Sequence, residues 1–393
     1  SKLYLVIVLF VLLTVAFVVQ TEATSELNEY HYQEPILLLL LTHGSWWVMW
    51  LLQLFGVACY RGIFRKNHGN HYRSQGYLDI DQLFASRPGF RKAFGQSVAA
   101  QYLDMYAITC LLYGSSKSAS TVPTTAWGYY TSPPIRYLLK RAAAVTSVLT
   151  LAGSTWYIAI TLTYASDVTA IYNCSTFTTY LFSIPILHER FEGRKMASVV
   201  AAVLGVVIVS YSSSAALEED YPNRVWGNLI ISIGAVLYGL YECLYAKWLG
   251  IPAHASKPVN HVTPYQKATF SNFCTSFLSL CTLAILIPAV IVMHFTVLPI
   301  KLPPNLTCYA LIAASICANM TFVVMFLVML SLTTPTIASV ASLSTIWFVG
   351  LVDWLLGTET TVGAWIGFAV IMLGFLGMCW GSWSEIGGED DDE

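Results

Sequence analysis

The chain has 393 residues, 56% of them hydrophobic and only 11% charged, and 20 basic against 22 acidic side chains leave a formal net charge of -2. An ordinary soluble domain carries about a quarter charged residues, so this composition excludes a water-soluble globule. With no basic excess, nucleic acid is not an expected partner.

Ten apolar stretches approach the roughly 20 residues that a bilayer core demands, where each backbone N–H and C=O must bond within its own segment. They run 3–19, 35–59, 142–164, 167–187, 196–211, 225–249, 268–297, 308–332, 336–356 and 362–380. The expected fold is therefore an all-α polytopic membrane protein. The first stretch has the length of a secretory signal, but no small-residue cleavage site follows it, and we count it as a membrane helix. Nine scattered cysteines form no C-x-x-C pair and lie mostly inside apolar stretches, which reads as buried filler and not as a disulfide frame or metal site.

The loop after the first stretch carries Glu22, Glu26, Glu29 and Glu34 with no basic residue, whereas Arg61 to Arg141 holds eleven basic and three acidic residues. Lysine and arginine mark the cytoplasmic side, so the long loop at 60–141 is expected inside, together with both termini. Arg190, Arg194, Lys195, Lys247, Lys257 and Lys267 agree with that orientation, as do Glu218, Glu219 and Asp220 outside; Arg224 and Lys301 dissent. Within the long loop, 94–113 is apolar enough for an amphipathic helix lying on the membrane or on the bundle. The rest of it, rich in Gly, Ser and Tyr, is expected to be mobile. Asn305-Leu306-Thr307 falls on the outer side as a glycosylation triplet, while the triplets at Asn173 and Asn319 lie within spans and are set aside. Residues 385–393 form an acidic tail, read as a solvated end.

Placing Glu189 over Glu359, an offset of 170, aligns the preceding helices without gaps: Ser166 meets Thr336, Thr169 meets Ser339 and Ser175 meets Thr345. One residue of slippage later, Gly205 meets Gly374. The fourth and fifth spans thus recur as the ninth and tenth, which implies two five-helix halves, 1–211 and 212–384, inserted in opposite directions. That inverted architecture is common among secondary transporters, where the site lies near mid-membrane between the halves.

The stretch Ala165-Ser166-Asp167-Val168-Thr169-Ala170-Ile171-Tyr172-Asn173, leading to His188-Glu189-Arg190, resembles the EamA-type drug/metabolite transporter superfamily. Ser331-Leu332-Thr333-Thr334-Pro335 through Gly357-Thr358-Glu359 is similar to the matching second element. The motif order is that of the solute-carrier branch related to nucleotide-sugar transporters, with fungal members most alike, and the likeness covers about Tyr137 to the end. It implies ten transmembrane helices, exchange or ion-coupled export, and a central cavity built by both halves. It does not imply a substrate, because one scaffold serves many solutes. The ninth span lacks the lysine-bearing or paired-asparagine signature of the better-defined nucleotide-sugar carriers.

In the fourth span Ser166, Thr169, Asn173, Thr176 and Tyr180 share one helical face. Polar groups in lipid must point at protein or water, so this stripe either lines a cavity or serves as helix-to-helix glue. In the sixth span Tyr238, Tyr241, Glu242 and Tyr245 cluster within two turns. Glu242 either carries a coupling proton or holds a substrate cation, or else forms an interfacial snorkelling pair with Lys247. Ser339 and Thr345 are the ninth-span counterparts of the stripe. His43 and Asp353 are weaker candidates, and Asp167 is expected to cap its helix. Glu189 and Glu359 are expected to brace the following helices. Gly363-x-x-x-Gly367 and Gly377-x-x-x-Gly381 let the tenth span pack closely on the fifth, or on a second copy as a homodimer through Gly363 and Gly367.

Catalytic patterns are missing. His188-Glu189 begins a zinc-protease motif, but Glu192 stands where the second histidine belongs. No Walker loop or G-x-S-x-G elbow appears, so neither an enzyme nor an ATP-driven pump is expected, and no cofactor is required. The expected function is secondary transport or exchange of a small polar metabolite (a nucleotide sugar, nucleotide, vitamin or amino acid) by alternating access across an endomembrane such as the Golgi, endoplasmic reticulum or vacuole. The alternative is a non-transporting polytopic protein acting as receptor, trafficking or assembly partner.

Overall fold

The computed structural model describes residues 2–32, 34–64, 90–114, 123, 125–162, 165–213, 223–251, 262–296, 299–333, 338, 345, 346, 348 and 362–381. These are helical throughout, with no strand among the described residues. The helices are α1 (Lys2–Glu29), α2 (Pro35–His43), α3 (Trp47–Phe64), α4 (Phe90–Tyr113), α5 (Ala126–Thr131), α6 (Pro133–Ala159), α7 (Ala165–Asn173), α8 (Ser175–Leu187), α9 (Gly193–Ser213), α10 (Arg224–Trp248), α11 (Pro264–Thr296), α12 (Leu306–Leu332) and α13 (Val362–Gly381). Six described stretches are long and apolar enough to cross a membrane: Ile7–Thr24, Pro35–Ile63, Pro133–Ala159, Val225–Trp248, Pro264–Thr296 and Leu306–Leu332. The chain is a multi-pass helical membrane protein.

Local chemistry sets the helix ends. Proline, with no N–H to lose, opens α2 and α6. A reciprocal capping box starts α11, where Thr263 N donates to Gln266 Oε1 at 3.0 Å and Gln266 N donates to Thr263 Oγ1 at 3.2 Å. Asn305 Oδ1 accepts from Cys308 N at 2.8 Å, so the side-chain amide of the Asn305-Leu306-Thr307 triplet serves as the N-cap of α12. His188 ends α8 in the left-handed region at φ 59°.

Several boundaries differ from expectation. α1 runs ten residues past Val19, so Glu22, Glu26 and Glu29 sit on its last turns and not in a loop. α6 begins at Pro133, nine residues before the expected 142. The long loop contains two helices: α4 packs on α3, α6 and α11, burying Met105, Tyr106, Ile108 and Cys110. Gln101 Nε2 ties it to Leu54 O at 3.1 Å, so the expected amphipathic helix lies on the bundle. Tyr129 OH in α5 donates to Tyr102 O of α4 at 3.1 Å. Residues 334–337, 339–344 and 349–361, most of the expected ninth span, lie outside the described residues.

The tenth span, α13, packs along the fifth, α9. A Cβ on Gly205 would stand 2.7 Å from Gly367 O and 2.8 Å from Ile371 N, so these helices touch backbone to backbone. Gly367 therefore makes its close approach within one chain, which takes it away from the homodimer seam drawn through Gly363 and Gly367. On the opposite flank α1 packs along α12. The turn after α1 is clamped to the loop before α12: Tyr32 OH donates to Lys301 O at 3.2 Å, and Lys301 N donates to Glu34 Oε1 at 3.1 Å. Burial first, and the nearby Glu34 second, push the Tyr32 phenol up to about 12.

Candidate functional site

Two of the expected continuous spans are broken. The stretch expected at 35–59 is interrupted at Gly44-Ser45-Trp46, where Val48 N and Met49 N bond back only three residues, to Ser45 O and Trp46 O, at 3.0 and 3.1 Å. The stretch expected at 167–187 is interrupted at Cys174, with Cys174 N bonded to Ile171 O and Phe177 N to Cys174 O, each at 3.0 Å. Such tightened turns leave the α-helical ladder and free side chains at the break to point inward. Non-helical backbone within a membrane survives where it is buried in protein or lines a wet space.

Both breaks open on one cavity of about 100 Å³. Its wall takes Phe17, Gln20 and Thr21 from α1 and His43 and Trp46 from the first break. Leu149, Gly153, Trp156 and Tyr157 come from α6, and Thr169, Tyr172, Asn173 and Ser175 from the second break. Tyr238 and Tyr241 of α10 and Asn319, Phe322 and Val323 of α12 complete it. Asn319 lies thirteen residues from each end of α12, so the cavity sits at mid-helix.

The wall alternates rings with hydrogen-bonding groups. Tyr172 and Tyr238 have centroids 5.0 Å apart, Tyr238 and Tyr241 5.3 Å, Trp156 and Tyr157 4.8 Å, and His43 and Trp46 4.4 Å. Asn319 is the hinge of a polar chain: its Oδ1 accepts from Trp46 Nε1 at 2.7 Å and its Nδ2 donates to Gln20 Oε1 at 3.1 Å. This joins α1, the first break and α12. On the facing side Thr42 Oγ1 lies 3.1 Å from both Tyr157 OH and His43 Nδ1. Asn173 closes α7 by donating to Thr169 O at 2.7 Å, and this places its amide at the second break.

Of the sequence-predicted site residues, Thr169, Asn173, Tyr238 and Tyr241 line the cavity, and so does the weaker candidate His43. Thr176, Tyr180, Glu242 and Thr345 are buried but do not line it. Tyr180 faces the other end of α8: its hydroxyl donates to Glu192 O at 3.3 Å and accepts from Glu192 N at 3.1 Å, bracing the loop before α9. Glu242 is 0% exposed and its Oε2 accepts from Thr179 Oγ1 at 2.7 Å, while Lys247 is exposed. The expected snorkelling pair is thus replaced by an inter-helix bond. α10 reaches α8 this closely because a Cβ on Gly239 would meet Thr179 N at 2.7 Å and Ser175 O at 3.0 Å. Glu189 accepts from Ser183 Oγ at 2.8 Å, a bond to the helix before it. Ser339, Asp353 and Glu359, and the side chains of Ser166 and Asp167, lie outside the described residues.

Sequence reasoning missed Gln20, Trp46, Tyr157, Tyr172 and Asn319. The signal for two of them was present. An amide alone in an apolar helix needs a partner, and Gln20 and Asn319 are such amides.

No family model matches the sequence. Two curated relatives, both named solute carrier family 35 member F4, from Mus musculus and Homo sapiens, are each 25% identical over 116 residues, 30% of this chain. The match spans 23% of the mouse protein and 21% of the human one, less than a quarter of the length of either. A solved structure named "Crystal structure of protein" is 15% identical at a TM-score of 0.45, covering 72% of this chain and 88% of that one.

Proposed function

We propose that the chain is a secondary transporter or exchanger of a small polar metabolite, working by alternating access across an endomembrane, with the mid-helix cavity as its binding site. The observation that carries this reading is the meeting of two broken helices at one aromatic and amide-lined cavity. Discontinuous helices at mid-membrane supply transporters with polar groups in an otherwise apolar bundle. Three further points support it: the similarity to solute carriers named in family 35, the internal repeat of an EamA-type scaffold, and the pairing of α9 with α13, the helices that the repeat equates.

In this reading Thr169, Asn173, Tyr238 and Tyr241 bind solute with Gln20 and Asn319. Glu242 and Thr179 fix α10 against α8, so that the tyrosine wall moves as one body with the second break. The solute drives the cycle by binding the inward-open and outward-open forms with different affinity during the exchange. Ser339 and Thr345 are proposed to complete the site from the ninth span.

Reconstitution into sealed vesicles tests the proposal. Uptake or exchange of some metabolite is expected, and Asn173→Ala should reduce the flux while leaving the folded protein intact. A broad metabolite screen with no flux, together with a stable protein partner in pull-downs, would transfer the assignment to a receptor or assembly role.

A further inference from the structure

The charge of the cavity narrows the solute. Among the described residues, none that lines the cavity is Lys, Arg, Asp or Glu. The undescribed ninth-span residues bring no cation either, because no Lys, Arg or His follows Lys301 in the sequence. The other lysines and arginines whose side chains are not described (Lys2, Arg65, Lys66, Arg73, Arg87, Lys117, Arg224 and Lys257) fall outside the ten apolar stretches of the sequence.

The backbone field is balanced. At each break the C-terminal pole of one half-helix (α2, α7) and the N-terminal pole of the next (α3, α8) meet the same cavity. Both are partly spent, since the amides of Val48, Met49 and Phe177 and the carbonyls of Thr42 and Thr169 bond within the breaks, so no helix end stands ready for an anion. Among the described residues, the ionisable group within electrostatic reach of Tyr172, Tyr238 and Tyr241, besides neighbouring tyrosines, is the acid Glu242. A phosphate or carboxylate entering here would shed water and meet no guanidinium or ammonium, the groups that normally recognise it. The wall does offer flat faces in the half-buried Trp156, Tyr172 and Tyr238, with Gln20, Asn173 and Asn319 as amides able to donate and accept.

Resting on the transport reading, we infer that the cavity takes a flat heteroaromatic solute, neutral or cationic, that bears no phosphate or carboxylate, and that it rejects nucleotides and nucleotide sugars. The ring stacks between aromatic walls and the amides read its edge.

The test is a matched panel against the purified full chain: nucleosides beside their 5′-monophosphates, nicotinamide beside nicotinate, thiamine beside its diphosphate, and UDP-glucose. Thermal stabilisation and counterflow in proteoliposomes are both measured. Stabilisation by one or more uncharged or cationic members is expected, with the anionic partner at least tenfold weaker. Trp156→Leu should weaken that binding about tenfold while Trp156→Phe largely keeps it. Equal or tighter binding of a phosphorylated member overturns the inference, as does a panel in which nothing binds. Counterflow of UDP-glucose would do so while leaving the transport proposal standing, whereas a protein that moves no metabolite at all removes that proposal itself.

Discussion

Replacing Asn319 by leucine keeps the branching and the number of side-chain heavy atoms but removes the amide that ties three elements together at the cavity. Asn319 is 5% exposed and holds Trp46 Nε1 at 2.7 Å and Gln20 Oε1 at 3.1 Å, so the change orphans one donor and one acceptor. In a dry core each orphan costs about 1 to 3 kcal/mol, which sums to roughly 2 to 6. Inter-helix hydrogen bonds in membranes average about 0.6 kcal/mol, or roughly 1.2 for the two. The smaller scale should win, because Trp46 and Gln20 both line the cavity and water there can serve the orphaned groups. Thr24 Oγ1 and Ser315 Oγ, 3.2 Å apart, still hold α1 to α12 one turn away.

The expected outcome is a loss of about 1 to 2 kcal/mol in reversible unfolding in mixed micelles, with uptake in proteoliposomes falling tenfold or more because the Trp46 ring is no longer fixed. A stability loss above about 4 kcal/mol would mean that the centre is a dry plug and the cavity reading is wrong. Unchanged uptake at normal stability would remove Asn319 and Trp46 from the site.

Gly205→Ala should destabilise the α9–α13 pair by about 2 kcal/mol, seen as lower thermal stability in detergent, since the new methyl meets helix backbone at 2.7 and 2.8 Å and no flexible side chain can yield. Tyr180→Phe should leave uptake unchanged and expose residues 188–192 to protease, because its hydroxyl serves only the Glu192 backbone among the described bonds; lost uptake would return Tyr180 to the site. Glu242→Gln keeps a hydrogen-bond acceptor for Thr179 and removes a charge. If Glu242 carries a coupling proton, pH-gradient-driven uptake should drop at least tenfold while solute exchange persists, and equal losses in both assays would count against that role. Tyr32 has its folded-state pKa raised from 10.0 to about 12, so the fold favours the neutral phenol: that stabilisation is whole below pH 10 and disappears as pH rises to about 12. Tyr32→Phe should therefore abolish that part of the alkaline destabilisation in a pH-dependent unfolding series.

What could be read in the sequence was whatever depends on bulk apolar length or on charge at helix ends. Pro35 starts a helix where it was expected, and the apolar runs of α10, α11 and α12 lie within a few residues of their expected bounds. The packing of the tenth span on the fifth was visible through Gly367 and Gly377, because small residues in a span have few other uses. Asn173, Thr169, Tyr238 and Tyr241 were legible as polar or aromatic side chains at helical spacing. The same spacing misplaced Tyr180, because position on a helix face fixes direction around the axis and not depth along it. Tyr180 and Asn173 share a stripe, yet seven residues of rise and the break at Cys174 send one to the loop before α9 and the other to the cavity.

The breaks themselves were illegible for a physical reason that also explains why the site collects there. Hydropathy sums side-chain transfer energies over a window of about 19 residues, and Gly44-Ser45-Trp46 or Cys174 barely alters such a sum. A break is a backbone event. It is stable only if other groups satisfy what the ladder gives up, and the structure shows those substitutes: Ser45 Oγ donates to Thr42 O at 2.8 Å, and Asn173 Nδ2 to Thr169 O at 2.7 Å. Residues able to make such bonds are hydroxyls and amides, which lipid would reject, so each break draws polar side chains to one depth. Two breaks facing one another gather polar groups around one cavity even though each span, taken alone, reads as an ordinary apolar helix. Asn319 and Gln20 follow from the same logic, since an amide in a third or fourth helix finds its partner only at that depth.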